Sequence, residues 1–412
     1  MSALAFALAA TLAVSQAPDR VADVRVQGNT LTPDAEVVAL TEVAPGDPFT
    51  PQLIADAKAR LEKSGKFRRV EVLQRFASIS DPSAILLVVI VDEGRVGIRT
   101  SDDGLSPRAV RRRGPPLMLL PLFGSAEGYG FTYGALLSFP NVAGRGTRLT
   151  FPLTWGGERR AEAEYEKRFS TARPTRLLVA ASGLQRRNDA EDSLDRRAQF
   201  WVRGEREVAR ALRLGVWSGV DSVNFGGTHE RLVRLGVDAA VDTRVDPMLS
   251  RNAIYVRSAF ERLAVRGGKA PLRTLVDANV YVGGPLASIV AVRVYRDGSN
   301  EPVPAFLRVL RGRDSTLRGF RAGTASGDTT AAGTLEVRVP VNSPLSLGKL
   351  GVRAFIDAAT VYDTGQRLTD QHFQRGVGGG VWFTATVIRL AVDVAHGSEG
   401  QTRVQLTSGL LF

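Results

Sequence analysis

The sequence contains no cysteine, so disulfide bonds, thiolate metal sites and cysteine nucleophiles are excluded. No apolar run approaches the ~18–20 residues of a membrane-spanning helix. Histidine is scarce: His229, His372 and His396 are isolated and lie near predicted loops, which argues against a metal site or a Ser-His-Asp triad. No pair of carboxylates has catalytic spacing. We therefore expect a protein that is not an enzyme and that uses no metal, cofactor or small-molecule substrate.

Acidic residues are in the minority, because 54 lysines and arginines face 42 aspartates and glutamates, for a net charge of +12. A basic chain can bind nucleic acid or anionic lipid head groups. Here the arginines are spread along the chain, and the one run, at residues 111–113, lies in a predicted linker. We therefore predict no nucleic-acid partner and assign the charges to solvent or to a water-filled interior.

The N-terminal segment, residues 1–17, is predicted to be a signal peptide. Its apolar stretch at residues 3–14 is followed by Ser15-Gln16-Ala17, a small-x-small cleavage pattern. The alternative is a buried N-terminal helix. Export without disulfides implies that packing or a membrane supplies the stability.

Residues 20–95 mix strand and helix patterns in the order strand, helix, helix, strand, strand. Thr50 and Pro51 are typical of a helix N-cap and first helical residue. Apolar residues then recur at helical spacing up to Leu61, and Gly65 ends the helix. The continuous apolar run at residues 85–91 predicts a central strand that helices cover.

This segment resembles a POTRA domain, the periplasmic polypeptide-transport module. The motifs that carry the resemblance are Val26-Gln27-Gly28-Asn29, Gly65-Lys66-Phe67-Arg68-Arg69-Val70 and Val91-Asp92-Glu93-Gly94. The resemblance implies a periplasmic domain that binds unfolded outer-membrane client proteins and, as possible partners, accessory assembly proteins. A linker is predicted at residues 96–114.

Residues 115–412 consist of segments of ~9–11 residues in which polar and apolar positions alternate, as in strands of an outer-membrane barrel. Val352 and Ile356 share one face, while Arg353 and Asp357 share the other. The pattern predicts a transmembrane antiparallel β-barrel of about 16 strands, in contact with outer-membrane lipids. A soluble β-propeller is the alternative, but its strands are shorter and no repeat of ~40 residues is present.

The longest predicted loop, residues 297–332, contains Leu317-Arg318-Gly319-Phe320. A loop of this length is usually functional. If the strands close into a barrel, the loop can enter the lumen, where Arg318 can meet a carboxylate of the wall.

A POTRA domain followed by a barrel with an Arg-Gly-Phe loop after the eleventh strand resembles the BamA/TamA family of assembly and translocation proteins. Leu317 replaces the valine of that family's loop motif. The family's Phe-x-Asp-x-Gly strand motif corresponds to Phe355, Asp357 and Ala359, with alanine in place of glycine. The resemblance, together with the facing of Asp357, implies that Arg318 pairs with Asp357 and holds the loop.

Two further motifs support the resemblance. A turn after the eighth strand contains Asp242, Arg244, Asp246 and Pro247, and the alternating last strand ends in Phe412, which resembles a barrel-sorting signal. The glycine-rich segment at residues 376–380 opens a strand and lacks a lysine, so it does not predict a phosphate-binding loop.

The resemblance implies an outer-membrane protein assembly factor that inserts and folds other β-barrel proteins. The first alternative is a two-partner-secretion translocator, although such proteins usually carry two POTRA domains and an N-terminal plug helix, neither of which is predicted here. The second alternative is a passive pore or surface antigen.

Overall fold

The computed structural model describes residues 19–29, 31–77, 81, 83–93, 95–100, 107–112, 118–126, 130–169, 174–188, 190–209, 211–245, 249–312, 316–321, 323–341, 348–385 and 388–410. The predicted signal peptide and Phe412 lie outside these ranges. The chain divides into two compact units, and most of the first precedes residue 117.

The first unit follows the predicted order of elements: β1 (Arg20–Gln27), α1 (Asp34–Thr41), α2 (Pro51–Lys63), β2 (Arg69–Phe76) and β3 (Ala84–Asp92). Its sheet has the order β1-β3-β2, so the apolar β3 is central, parallel to β1 and antiparallel to β2. The segment predicted as a linker contains a hairpin of β4 (Arg95–Thr100) and β5 (Pro107–Arg112). Each of its strands has only six residues, fewer than the ~9–11 residues of the segments that were predicted to be strands.

The core of this unit lies between the helices and the sheet. Val37 of α1, Leu61 of α2 and Val89 of β3 are fully buried in one cluster. The Oγ1 of Thr50 caps α2 by accepting a hydrogen bond from the N–H of Leu53 at 3.2 Å. Among the described residues, no helix is long and apolar enough to cross a membrane.

The described part of the second unit forms a 16-stranded antiparallel sheet. Its strands are β6 (Met118–Ala126), β7 (Gly130–Pro140), β8 (Thr147–Gly156), β9 (Glu158–Arg168), β10 (Arg176–Asn188), β11 (Ser193–Ala209), β12 (Leu212–Phe225), β13 (Thr228–Asp242), β14 (Ala253–Val265), β15 (Leu272–Gly283), β16 (Ile289–Ser299), β19 (Thr329–Val341), β20 (Gly348–Tyr362), β21 (Gln374–Ala385), β22 (Ile388–Gly397) and β23 (Thr402–Leu410). Two short strands, β17 (Val309–Leu310) and β18 (Ser326–Gly327), lie outside this sheet.

The sheet curls into a nearly closed barrel, in which each strand pairs with its neighbours in chain order. Val352 and Ile356 of β20 point outward and are about half exposed, whereas Arg353 and Asp357 point inward and are buried. The predicted alternation of facing, and with it the predicted fold class, is therefore confirmed.

The two end strands of the sheet, β6 and β23, lie side by side. No hydrogen-bonded ladder joins them in the part of the chain that the structure describes. We call this junction the seam. A strand edge that lacks a ladder partner presents backbone N–H and C=O groups with which another strand can pair.

The N-cap of α2 provides a test of the first unit. We expect Thr50→Ala to lower its free energy of unfolding by about 1 kcal/mol, because the N–H of Leu53 loses its acceptor. Urea unfolding of the full-length chain, followed by proteolysis of this unit, would measure the change. Thr50→Ser keeps the hydroxyl and should remain within a few tenths of a kcal/mol of the original; an equal loss in both variants would contradict the capping role.

Candidate functional site: a loop tip in the barrel lumen

The longest connection of the barrel joins β16 to β19, the eleventh and twelfth strands of the wall. It includes a short 3-10 helix at Ala305–Leu307 and the small hairpin of β17 and β18. Phe306 and Leu307 pack against buried apolar side chains of β12–β14: Val223, Phe225, Leu232 and Leu263. The base of the loop therefore has its own apolar contact with the inner wall.

Polar contacts add to this packing. An Nη of Arg197 donates to the carbonyl of Phe306 at 2.6 Å, and the Oγ of Ser326 donates to Glu191 at 2.8 Å. Asp328 accepts from the backbone N–H groups of Val303 at 3.1 Å and Thr364 at 2.9 Å. Burial opposes ionisation of Asp328, but these backbone donors outweigh it and lower the pKa of the carboxyl group.

The tip of the loop is held by Arg318, which is only 4% exposed. Its guanidinium binds Asp357 of β20 in a bidentate manner, with Nε 2.7 Å from Oδ2 and Nη2 2.9 Å from Oδ1. The backbone N–H of Arg318 donates to the same Oδ2 at 3.0 Å. Three hydrogen bonds therefore join one loop residue to one wall carboxylate.

Further charged side chains of the wall complete the cluster. Glu336 of β19 accepts from Nη1 of Arg318 at 2.7 Å, and Asp393 of β22 lies 3.8 Å from the same nitrogen. Arg353 binds Asp393 with its Nε at 2.7 Å, and Arg338 binds Glu336 at 2.6 Å. Three arginines thus face three carboxylates, which leaves the cluster with no net formal charge.

The environment of Arg318 favours its charged form. Burial alone would lower its pKa, but the hydrogen bonds and charges of Asp357 and Glu336 raise the pKa above that of a free arginine. The guanidinium carbon also lies 3.3 Å from the centre of the Phe355 ring, a cation–π contact. The tip therefore remains positively charged at any physiological pH.

Glycines of β21 make room for the cluster, because alternate inward positions on this strand lack side chains. A Cβ at Gly376 would lie 1.9 Å from the carbonyl oxygen of Arg318, and one at Gly380 would lie 2.3 Å from Asp393 Oδ1. A Cβ at Gly378 would lie 2.8 Å from the Phe355 ring. The glycine-rich segment therefore forms the recess into which the loop tip fits.

The rest of the tetrapeptide packs beside Arg318. Gly319 has a φ of +90°, and a Cβ there would meet the backbone N of Gly397 at 2.9 Å. Leu317 and Phe320 are fully buried against a cluster that includes Ala359. Ala359, which replaces the glycine of the family's strand motif, thus lies within the apolar contact of the tip.

The other residues singled out in the sequence lie elsewhere. Asp242 lies at the end of β13, with Oδ2 3.9 Å from Arg213, and Arg244 lies in the turn that follows. Asp246, Pro247 and Phe412 are outside the described residues. The roles of this turn and of the terminal phenylalanine stay predictions.

Sequence reasoning selected Asp357 but missed Glu336, Arg353 and Asp393. All three lie on strands in which polar and apolar residues alternate. The alternation therefore indicated that their side chains face the lumen. The sequence did not show the strand register, which places these residues of β19, β20 and β22 at the same height in the barrel wall. In the described part of the chain, no group of His, Asp and Glu is arranged to hold a metal ion.

Comparison with known proteins adds a family and a fold. Residues 141–412 match the Omp85 superfamily domain, and residues 20–94 match the POTRA family described as the surface antigen variable number repeat. No curated protein matches the sequence significantly.

Several solved structures have a similar fold. BamA from Haemophilus ducreyi lacking POTRA domains 1–3 has a TM-score of 0.59 at 13% identity, covering 95% of this chain and 84% of that one. CdiB from Escherichia coli gives 0.55 at 11% identity, covering 98% and 92%. CdiB from Acinetobacter baumannii gives 0.51 at 11% identity, covering 95% and 74%.

The first test of the site replaces the cation. Arg318→Met leaves the buried Asp357 without its cation and removes one of the cations that bind Glu336, which should cost about 3–5 kcal/mol and release the loop tip. Arg318→Lys keeps the charge but cannot form the bidentate pair, so we expect an intermediate effect. Trypsin cleavage after Arg311 and Arg321 in the folded barrel would report release. Unchanged cleavage in Arg318→Met would show that the tip does not depend on this pair.

A second test uses the recess. Gly376→Ala should displace the tip, because its Cβ would collide with the carbonyl of Arg318, and loop cleavage should increase. Gly333→Ala is the matched control, since a Cβ there meets nothing closer than a carbonyl oxygen at 3.9 Å. Equal cleavage in both variants would argue against the recess.

Proposed function

The chain belongs to the Omp85 superfamily, and we propose that it is an assembly factor that inserts and folds other β-barrel proteins in the outer membrane. Membership places the barrel in the outer membrane, the POTRA domain in the periplasm and the activity in protein insertion or translocation. The observation that carries the choice of insertion is the seam between β6 and β23, next to a lumen occupied by the loop. The role is non-enzymatic.

The seam supplies the chemistry that an incoming strand needs. Edge strands present a row of unpaired N–H and C=O groups, and an extended client segment can pair with them by β-augmentation. Pro121 weakens the β6 edge, because proline has no N–H to donate to a ladder. Pro115 and Pro116, which also motivated the weak-edge hypothesis, lie outside the described residues.

The POTRA domain supplies a second edge. In the β1-β3-β2 sheet, the outer edge of β1 forms a bridge between Arg20 and Pro48. In the described part of the domain, no strand pairs with the outer edge of β2. We propose that β2 binds an unfolded client strand, or an accessory assembly protein, before the client reaches the barrel.

A two-partner-secretion translocator, which passes a polypeptide through the lumen, is the second candidate. The observation in its favour is the polar inner wall, where arginines pair with carboxylates along β9–β14, for example Arg203 with Asp238 and Arg234 with Asp221. Such a wall suits a hydrated polypeptide once the loop has withdrawn. A passive pore would require the same withdrawal.

Locking the seam separates these functions. The chain has no cysteine, so pairs introduced between residues 119–123 of β6 and residues 404–406 of β23 would be the only thiols. We expect oxidised pairs to stop insertion of a client barrel into proteoliposomes and a reductant to restore it. Cysteines at Val220 and Val233, which already face each other in the ladder of β12 and β13, form the matched control.

The translocator predicts a different result. Seam locking should then leave transport intact, while deletion of residues 312–325 should increase it by opening the lumen. Insertion that continues through a fully oxidised seam would refute the assembly mechanism. Depletion of the protein, followed by a census of outer-membrane proteins, would identify the clients.

A further inference from the structure

We propose that the outer wall of the barrel binds a phosphorylated glycolipid of the outer leaflet, on a polar row and an apolar trough that cross β9–β13. This inference depends on the location in the outer membrane and not on the assembly mechanism. We define the polar row as five residues that face one another across neighbouring strands: Arg159, Gln185, Arg196, Asn224 and His229.

These side chains face away from the lumen. Phe200 and Val220 occupy the same faces of β11 and β12, an even number of residues from the row, and both are about half exposed. The inward neighbours on the same strands, such as Asp195 and Asp221, are buried among the ion pairs of the lumen. The polar row therefore contacts the membrane and not the water-filled interior.

The row also lies at the cell-surface end of the wall. The POTRA domain is periplasmic and precedes β6, so β6 enters the membrane from the periplasmic side. Successive strands then alternate in direction, which places the turns after β8, β10 and β12 on the opposite side. Arg159, Gln185 and Asn224 all lie within a few residues of these turns.

Three outward arginines, Arg159, Arg196 and Arg231, lack the carboxylate partners that the inward arginines have, whereas the outward Arg187 pairs with Asp192. Within the described residues, the side chains of Arg159 and Arg231 make no hydrogen bond or ion pair, and Arg196 bonds only Gln185, at 3.3 Å. No Asp or Glu occupies an outward strand position of β9–β14 in the described part of the wall. Guanidinium groups bind phosphate well, so this uncompensated charge favours an anionic head group.

Immediately below the polar row, the wall forms the trough, which small and apolar residues line except for Ser222 and Arg231 at one end. The next outward row consists of Ala161, Gly183, Ala198, Ser222 and Arg231, and the row after it contains Ala163, Ala181, Phe200, Val220 and Val233. Small residues between bulkier neighbours leave a cavity of about 890 Å³, next to one of about 540 Å³ that the polar row itself lines. An acyl chain fits the trough while its head group meets the cations.

The two features together point to one class of ligand. The cations suit phosphate, the amides of Gln185 and Asn224 suit sugar hydroxyls, and the trough suits a hydrocarbon chain. More than one unpaired arginine favours a head group with more than one phosphate. A bisphosphorylated, acylated disaccharide of the lipid A type has all of these groups, whereas a glycerophospholipid with one phosphate lacks the sugar.

Binding of bisphosphorylated lipid A to the full-length protein in detergent tests the site, with native mass spectrometry as the readout. We expect Arg159→Gln/Arg196→Gln to weaken binding by at least about tenfold. Arg206→Gln is the matched control, because Arg206 shares the outward face of β11 but lies at its periplasmic end. Heat-dependent migration in SDS would verify that each variant is folded.

The trough is tested separately. Gly183→Leu should fill it without a backbone clash, since a Cβ at Gly183 meets nothing within 4 Å. We expect this variant to bind lipid A more weakly than the original protein. Adding the control substitution Arg206→Gln to it should not change its affinity further. Equal affinity of the double arginine variant and the original protein, or equal binding of phosphatidylglycerol and lipid A, would overturn the proposal. Intact client insertion in these variants would leave the proposed function untouched.

Discussion

The bidentate pair between Arg318 and Asp357 is the interaction on which the arrangement of the lumen depends. A buried guanidinium is tolerated only when its charge and its donors are matched. Here Asp357 and Glu336 match them from adjacent strands, while glycines on β21 leave the space that the tip needs. The loop tip is therefore held against the inner wall by specific contacts.

The wall of the barrel contains the second feature on which the proposed function depends. A barrel removes strand edges by pairing every strand, and in the described part of the chain no ladder joins β6 to β23 at the seam. An edge that faces lipid is costly, because its backbone groups have no water to bind. In the proposed function, pairing with a client strand lowers this cost at the seam, and a client strand pairs in the same way with the β2 edge of the POTRA domain.

The outer face of the wall differs from the inner face in how its arginines are paired. Inside, arginines such as Arg203 and Arg234 are matched by carboxylates, which suits a confined aqueous space. Outside, Arg159 and Arg231 have no such partners among the described residues, and no Asp or Glu occupies an outward strand position around them in the described part of β9–β14. Phosphate groups of the surrounding leaflet can supply the missing anions. The lipid phosphates would then balance the charge of these outward arginines.

Alternation along the chain was enough to predict the barrel, the facing of Asp357 and the order of elements in the POTRA domain, because period-2 and period-3.6 patterns are local. The paired strands at residues 95–100 and 107–112 were not predicted, since each has only six residues. Only the tertiary structure decided which side chains lie at the same height in the barrel wall. Glu336, Arg353 and Asp393 belong to the cluster around Arg318. Arg159, Gln185 and Arg196 lie in one row across neighbouring strands. These contacts depend on strand register, which arises from pairing between distant segments and leaves no local trace in the sequence.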